Sequence, residues 1–340
     1  MASHYLIVKT SSLGDVIHAM PAVTEWCMQR PDARIDWVVE EAYAPLVRLH
    51  PGVRRVIPVA WRRWRKALAR RTTWREFATL RQALGETRYD AVIDAQGLLK
   101  SAVIAWLAGH RRIGLDAASA REPLASRFYT QRLCVPWGLH AIERCRLLLA
   151  QAGHYPPGET LDYGVHLPGP SVGEPPRCVL LHGTAVAAKQ WPEAHWRALA
   201  TNLQAQGMVV ELPHGNAEEE ARAHRIAQDL PHAVVPDRAP VDVMARRIAR
   251  AQLVVGVDTG LLHLAAALQV PLVALFVQTD PAATGPRGAG ALTVLGGPGQ
   301  CPAVAQVLEA IEALQTDLSG APPEPAAPMG APDAGRAVSP

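Results

Sequence analysis

Asp15 closes the stretch Lys9-Thr10-Ser11-Ser12-Leu13-Gly14-Asp15, where a short apolar run gives way to an amphipathic one. A carboxylate at such a point caps a helix, and it can also accept a proton from a hydroxyl brought to the same turn. The helix dipole lowers its basicity, which an oriented, desolvated setting has to offset. Gly14 suits a tight turn. The stretch Val257-Asp258-Thr259-Gly260-Leu261-Leu262-His263 has the same form. Gly260 would let a ligand approach the backbone, and the amides after Asp258 suit a diphosphate. His263 lies one helical turn past Thr259, on the same face. A third turn, His182-Gly183-Thr184, is followed by Lys189, a fixed counter-charge for a phosphate. Taken singly, each of these reads as a cap, a buried histidine or a surface lysine. Three ligand-capable turns at strand carboxyl ends, split between two halves, weigh against all of them being merely structural.

Residues 61–71, Trp-Arg-Arg-Trp-Arg-Lys-Ala-Leu-Ala-Arg-Arg, hold six cations and two tryptophans with no acid. That segment suits a polyanion, an anionic membrane surface or an acidic substrate, or else forms a solvated basic helix face. The tryptophans favour contact, since an indole left in water gains nothing.

Apolar strand patterns alternating with longer amphipathic stretches position these residues. Strands are expected at 4–10, 35–40, 55–60 and 90–97, and helices from 16 to about 30, at 74–87 and at 98–109. The alternation implies a parallel sheet covered on both faces. Six prolines and four glycines in 154–176 mark an interdomain connection. The pattern then restarts, with strands at 178–183, 208–213, 253–258 and 271–277, and helices at 192–207, 217–230, 259–270 and about 302–318. The expected domains are 1–155 and 177–318, joined by a linker over 156–176. Two doubly wound α/β halves would face a central cleft with the carboxyl ends of their strands. Residues 319–340 are Ala, Gly or Pro at 15 of 22 positions, which predicts a disordered tail.

Composition excludes less than the motifs do. Hydrophobic residues at 49%, charged residues at 19% and a net charge of +3 describe a globular chain that does not demand nucleic acid. Five cysteines at 27, 134, 145, 178 and 301 include no Cys-x-x-Cys pair, which fits a reducing compartment and gives no zinc site. The apolar run near the N-terminus is too short for a signal peptide, and the run 261–277 is broken by His263, Gln269 and Pro271. No Walker A, Gly-x-Gly-x-x-Gly or Gly-x-Ser-x-Gly sequence occurs. No Asp-x-Asp pair is present to hold a nucleotide sugar through a metal, so neither a metal site nor a cofactor is assigned.

Five collinear segments strongly resemble the lipopolysaccharide heptosyltransferases, and heptosyltransferase I more than II. They are LIVKTSSLGDVIHAMPAV, WVVEEAYAPLVRLHPGVRRVIPVAWRRWRKA, YDAVIDAQGLLKSA, AREPLASRFY and VVGVDTGLLHLAAAL. The match runs in order from about residue 5 to 318. It implies a GT-B fold of two Rossmann-like domains. It also implies transfer of L-glycero-D-manno-heptose from the donor substrate ADP-heptose to the first Kdo of Kdo2-lipid A, with inversion. The place of work would be the cytoplasmic face of the inner membrane, with the enzyme peripherally associated and monomeric.

By resemblance, Asp15 matches the base and Lys189 the lysine on the ADP phosphates. Thr184, Asp258, Thr259, Gly260 and His263 match donor-binding positions, and Glu219 a ribose-holding glutamate within the run Glu218-Glu219-Glu220. Arg62, Arg63, Lys66 and Arg121 match basic positions for Kdo carboxylates and lipid A phosphates. Ser11, Ser12 and Gln96 would line the acceptor side. The chain departs from the family at Ala185, where a second threonine is usual, and over 276–281 near the donor. Heptosyltransferase II, a related enzyme with another nucleotide sugar, and a binding module that grips polyanions stay open as alternatives.

Overall fold

The computed structural model describes residues 3–184 and 186–320. The first sheet holds β1 (His4–Val8), β2 (Arg34–Glu40), β3 (Val53–Val59), β4 (Ala91–Asp94), β5 (Arg112–Leu115) and β6 (Gln131–Leu133) in the order β3-β2-β1-β4-β5-β6. The second holds β7 (Arg177–Leu181), β8 (Val209–Glu211), β9 (Ala233–Val234), β10 (Leu253–Val257), β11 (Leu272–Phe276) and β12 (Leu292–Gly296) in the order β12-β11-β10-β7-β8-β9. Neighbouring strands pair in parallel throughout both sheets. Both halves therefore have the dinucleotide-fold order. In each, the direction of winding reverses beside the first strand, where a crevice opens at the carboxyl ends.

Helices cover both faces. The first half carries α1 (Leu13–Gln29), α2 (Ala44–Val47), α3 (Trp61–Trp64), α4 (Arg71–Gly85), α5 (Leu99–Ala108) and α6 (Ala141–Gly153). The second carries α7 (Glu193–Ala205), α8 (Ala217–Ala227), α9 (Val241–Ala249), α10 (Gly260–Ala267), α11 (Pro281–Thr284) and α12 (Val304–Gly320). Coverage on both sides explains the unbroken apolar runs of the central strands: Leu6, Ile7 and Val8 of β1, and Val254 and Val255 of β10, have no exposed surface.

One apolar cluster crosses between the halves. Ile17 and Met20 of α1 belong to the same buried group as Leu262, Leu264 and Ala265 of α10. Helix α1 is consequently buried almost all round from Gly14 to Trp26, as a helix must be that serves two domains.

Three expectations change. Helix α1 begins at Leu13 rather than Val16, so Gly14 and Asp15 lie inside its first turn. Residues 154–176 hold no helix or strand, yet part of this connection is packed: Tyr163 and Val165 are buried, and Arg146 donates to the carbonyls of Gly158 and Thr160. The last helix runs to Gly320, so the expected tail cannot begin at 319, and its remainder, 321–340, lies outside the described residues.

Candidate active site in the cleft

The β1–α1 turn is held from two sides. Gln96, just past β4, accepts from the backbone N–H of Thr10 at 3.0 Å and of Ser11 at 3.2 Å. Its own loop is set by buried Asp94, whose carboxylate accepts from the N–H of Gln96 at 2.8 Å and from the Tyr129 hydroxyl at 2.7 Å. Burial raises the Asp94 pKa, and these donors offset that rise. Lys100 Nζ donates to Ser11 Oγ at 2.9 Å. Gln96 thus shapes the turn that carries Ser11 and Ser12.

Ser12 is the N-cap of α1 and Asp15 its third residue. Asp15 Oδ2 accepts from the Ser12 N–H at 2.7 Å and the Ser12 hydroxyl at 2.9 Å, half of a capping box. Asp15 is therefore not the N-cap itself but the N3 partner that holds the cap residue Ser12. This role does not exclude chemistry, because both bonds fall on Oδ2 and leave Oδ1 outside the cap. Asp15 lines a cavity of about 470 Å³ together with Lys9, Gln96, Arg121, Trp137 and Thr284.

In the second half, Lys189 and Asp258 meet. Lys189 Nζ lies 2.6 Å from Asp258 Oδ2, and the Thr279 hydroxyl donates to the same oxygen at 2.8 Å. Thr184 Oγ1 donates to the Asp258 carbonyl at 3.3 Å. Two segments distant in sequence, 184–189 and Thr279, converge on one aspartate. Thr259 caps α10 without spending its side chain on the cap. It lines a larger cavity, about 770 Å³, along with Gly183, Thr184, Glu219, Met244 and, from the first half, Tyr43 and Arg62.

Glu219 is half-buried between exposed Glu218 and Glu220, and of the three it alone lines that cavity. Its Oε2 accepts from the Gly215 N–H at 2.7 Å. Gly183 makes room for it: a Cβ there would stand 2.7 Å from the Glu219 carboxyl carbon. Ala185 lies outside the described residues.

The two glycines do other work than a ligand-approach reading gives them. A Cβ on Gly260 would lie 2.8 Å from Leu13 Cβ, so the space beside Gly260 is filled by the opposite half. A Cβ on Gly14 would lie 3.0 Å from the His263 ring. Gly14 sits in a helix, with no left-handed turn to make. These residues let the first turns of α1 and α10 cross closely. His263 follows suit: its Nδ1 lies 3.3 Å from His18 Nε2 of α1, so one ring nitrogen faces the other half.

The basic residues divide. Arg121 is exposed at the rim of the smaller cavity, beside Asp15 and Gln96. Arg62 opens on the larger cavity and lies over the Tyr43 ring at 5.4 Å, its N–H held by buried Glu40 at 2.9 Å. Arg63 is taken up by Glu41 at 3.0 Å and Glu76 at 2.9 Å, which corrects its expected place among cations free to bind an acceptor. The run contains no acid of its own, and these partners come from neighbouring elements. Lys66 is exposed and has no ion pair among the described residues.

Sequence reasoning did not single out Thr279, Glu40, Lys100 or His18. A further groove of about 660 Å³, lined by Tyr89, Trp106 and His110 among others, lies at the amino ends of β4 and β5, away from the cleft, and holds none of the candidate residues. Among the described residues no helix is long and apolar enough to cross a membrane.

Two dinucleotide-type sheets meet at one cleft, with a carboxylate turn on one side and phosphate-suited turns on the other. That combination defines a glycosyltransferase of the GT-B type. The chain belongs to glycosyltransferase family 9, the heptosyltransferases, whose sequence profile matches residues 77–307. It is 51% identical over 290 residues to lipopolysaccharide heptosyltransferase 1 of Pseudomonas aeruginosa, covering 83% of this chain and 81% of that protein. It is 43% identical over 291 residues to lipopolysaccharide heptosyltransferase 1 of Escherichia coli K12, covering 83% and 90%. The structure of E. coli heptosyltransferase WaaC with ADP matches with a TM-score of 0.85 at 40% identity, over 92% of this chain and 99% of that one.

Proposed function

We propose that the protein transfers L-glycero-D-manno-heptose from ADP-heptose to the first Kdo of Kdo2-lipid A, inverting the anomeric carbon. It would act as a monomer at the cytoplasmic face of the membrane that holds the acceptor. The observation that carries this reading is the crossing of α1, which bears Asp15, with α10, which follows Asp258, in a chain so similar to heptosyltransferase 1 along both halves.

In this reading Asp15 Oδ1 takes the proton of the Kdo hydroxyl as its oxygen bonds to the anomeric carbon and the bond to ADP breaks. Negative charge grows on the departing diphosphate. Lys189, the Thr184 hydroxyl and the amides at the start of α10 stabilise it. Asp258 holds the Lys189 ammonium in place and meets the heptose beside Thr259, while Gly260 and His263 keep α10 close against α1. Glu219 accepts from the ribose in the larger cavity. Arg121, Lys66 and Arg62 bind acceptor carboxylates and phosphates, and Ser11, Ser12 and Gln96 shape that side. Closure of the two halves would exclude water that would otherwise hydrolyse the donor.

The test is mass spectrometry on a mixture of protein, ADP-heptose and Kdo2-lipid A. A product heavier by one heptose supports the reading. Tight ADP-heptose binding with no product on this acceptor, but product on an acceptor already carrying one heptose, would replace it with the heptosyltransferase II reaction.

A further inference from the structure

Immediately after the cleft-facing part of the basic run lies a surface that the transfer reaction does not use. Leu68 is 60% exposed and Trp74, in the first turn of α4, is 62% exposed. They are mounted together: the Trp74 indole N–H donates to the Leu68 carbonyl at 2.9 Å. The indole meets Phe77 edge-on at 6.5 Å, and Phe77 in turn meets buried Trp64 at 6.2 Å. The polar atom of the indole is thus already satisfied, and its apolar face is held outward on a rigid base.

Around these two side chains the charge has one sign. Arg65, Lys66, Arg70, Arg71 and Arg75 are exposed, and none makes an ion pair among the described residues. The nearest acid in sequence, Glu76, is occupied by Arg63 and by the Trp64 N–H at 2.5 Å. A solvated helix face ordinarily mixes both signs. Unpaired arginines flanking an exposed indole and a leucine along the chain instead match the headgroup level of a bilayer, where guanidiniums meet lipid phosphates and apolar side chains enter the acyl boundary. A nucleic acid would use the indole as a stacking platform but has no use for the leucine.

We propose that Leu68 and Trp74, with Arg70, Arg71 and Arg75, form the face by which this protein sits on an anionic phospholipid bilayer. The surface continues from Arg62 at the cleft. Its biological sense, bringing the cleft to a lipid-anchored acceptor, rests on the proposed function; its affinity for lipid does not.

The experiment is co-sedimentation of the full chain with acceptor-free vesicles. Vesicles of phosphatidylethanolamine with phosphatidylglycerol should bind it, neutral phosphatidylcholine vesicles should not, and high salt should release it. Arg70→Glu, Arg71→Glu and Arg75→Glu together should lower binding on the order of 100-fold or more, at roughly one charge-lipid contact per cation. Leu68→Ser with Trp74→Ser should lower it about tenfold, and Trp74→Phe should retain most of it. These variants should transfer heptose at the wild-type rate to a soluble, deacylated acceptor. Equal binding to both vesicle types, or unchanged binding by the charge and apolar variants, overturns the proposal. So does a single-stranded RNA that outcompetes the vesicles and loses affinity with Trp74→Ser. Vesicle binding without transfer to any acceptor would leave this proposal standing and remove the proposed function, and the reverse result would do the opposite.

Discussion

His18 of α1 and His263 of α10 stand 3.3 Å apart, Nε2 to Nδ1, and this contact ties the helix bearing Asp15 to the helix that follows Asp258. Two protonated rings would set donor against donor. Burial, with the opposed His263 and nearby His140, pushes His18 down to about 2. Burial pushes His263 down to about 4, against the pull of Asp258 and Asp15. Both rings are therefore neutral in the folded protein, while the unfolded chain takes up protons below about 6.5. Stability from the pair is complete above that value and is lost as the pH falls from there, down to about 4 for His263 and about 2 for His18. We expect the melting temperature to hold near neutrality and to fall through this window. His18→Gln should lower proton uptake on unfolding near pH 5 by about one. Calorimetry across pH measures this, and an unchanged pH slope in the variant would contradict it.

Gly260 answers to steric fit. Gly260→Ala places a methyl group 2.8 Å from Leu13 Cβ, forcing α1 and α10 apart. The expected cost is about 1–3 kcal/mol of stability, with a fall in transfer rate. Leu13→Ala keeps that Cβ but removes the Cγ and Cδ2 that would stand 3.0 Å away, so it should relieve only part of the cost in the double variant. Thermal unfolding of the four proteins reads the coupling.

The architecture was legible because its period was. β1, β2, β4, β7, β10 and β11 are short apolar runs buried on both faces, and longer helices follow β1, β4, β7 and β10. The sequence reading left out β5, β6, β9 and β12, together with α2, α6, α9 and α11. β9 spans two residues and β6 three, while Arg112, Gly114 and Thr293 break the apolar pattern of β5 and β12. Placing the reactive turns at strand ends followed from the same alternation. What each glycine accommodates did not: Gly260 shows that a Cβ is missing, but only the fold shows that Leu13 fills the space. Thr279 reached Asp258, and Glu40 reached the Arg62 N–H, through strand order rather than spacing. Only Glu219 of its triplet could be assigned once the turn of α8 fixed which carboxylate meets Gly215.

Lys189 is the cation proposed to meet the donor diphosphate, and its ammonium lies 2.6 Å from Asp258 Oδ2. Lys189→Ala should weaken ADP binding by roughly 10–100-fold, the loss of a charged hydrogen bond. Asp258→Asn should weaken it less, because Thr279 can still hold the side chain. Titration calorimetry with ADP checks both, and unchanged ADP affinity in Lys189→Ala would take the lysine out of the donor site.

Arg63 and its neighbours should part company. Because Arg63 bridges Glu41 and Glu76, Arg63→Ala should behave like Glu76→Ala, with little change in stability at so exposed a site. Arg62→Ala, Lys66→Ala and Arg121→Ala should instead raise the KM for acceptor more than for donor, with the difference shrinking at high salt. Steady-state kinetics with each substrate varied separates the two groups. Equal effects on both KM values would make the whole set structural.

Asp15 carries the central claim, and its two duties can be separated. Asp15→Asn keeps an oxygen that can accept from Ser12, so the cap survives, but the amide cannot take a proton. The measurement is single-turnover transfer from ADP-heptose to Kdo2-lipid A by Asp15→Asn, with ADP-heptose affinity measured in parallel. The account predicts a rate lower by roughly 10²–10⁴ with nearly unchanged donor affinity. Transfer near the wild-type rate would contradict it, leaving Asp15 as a helix cap and the base elsewhere in the cleft.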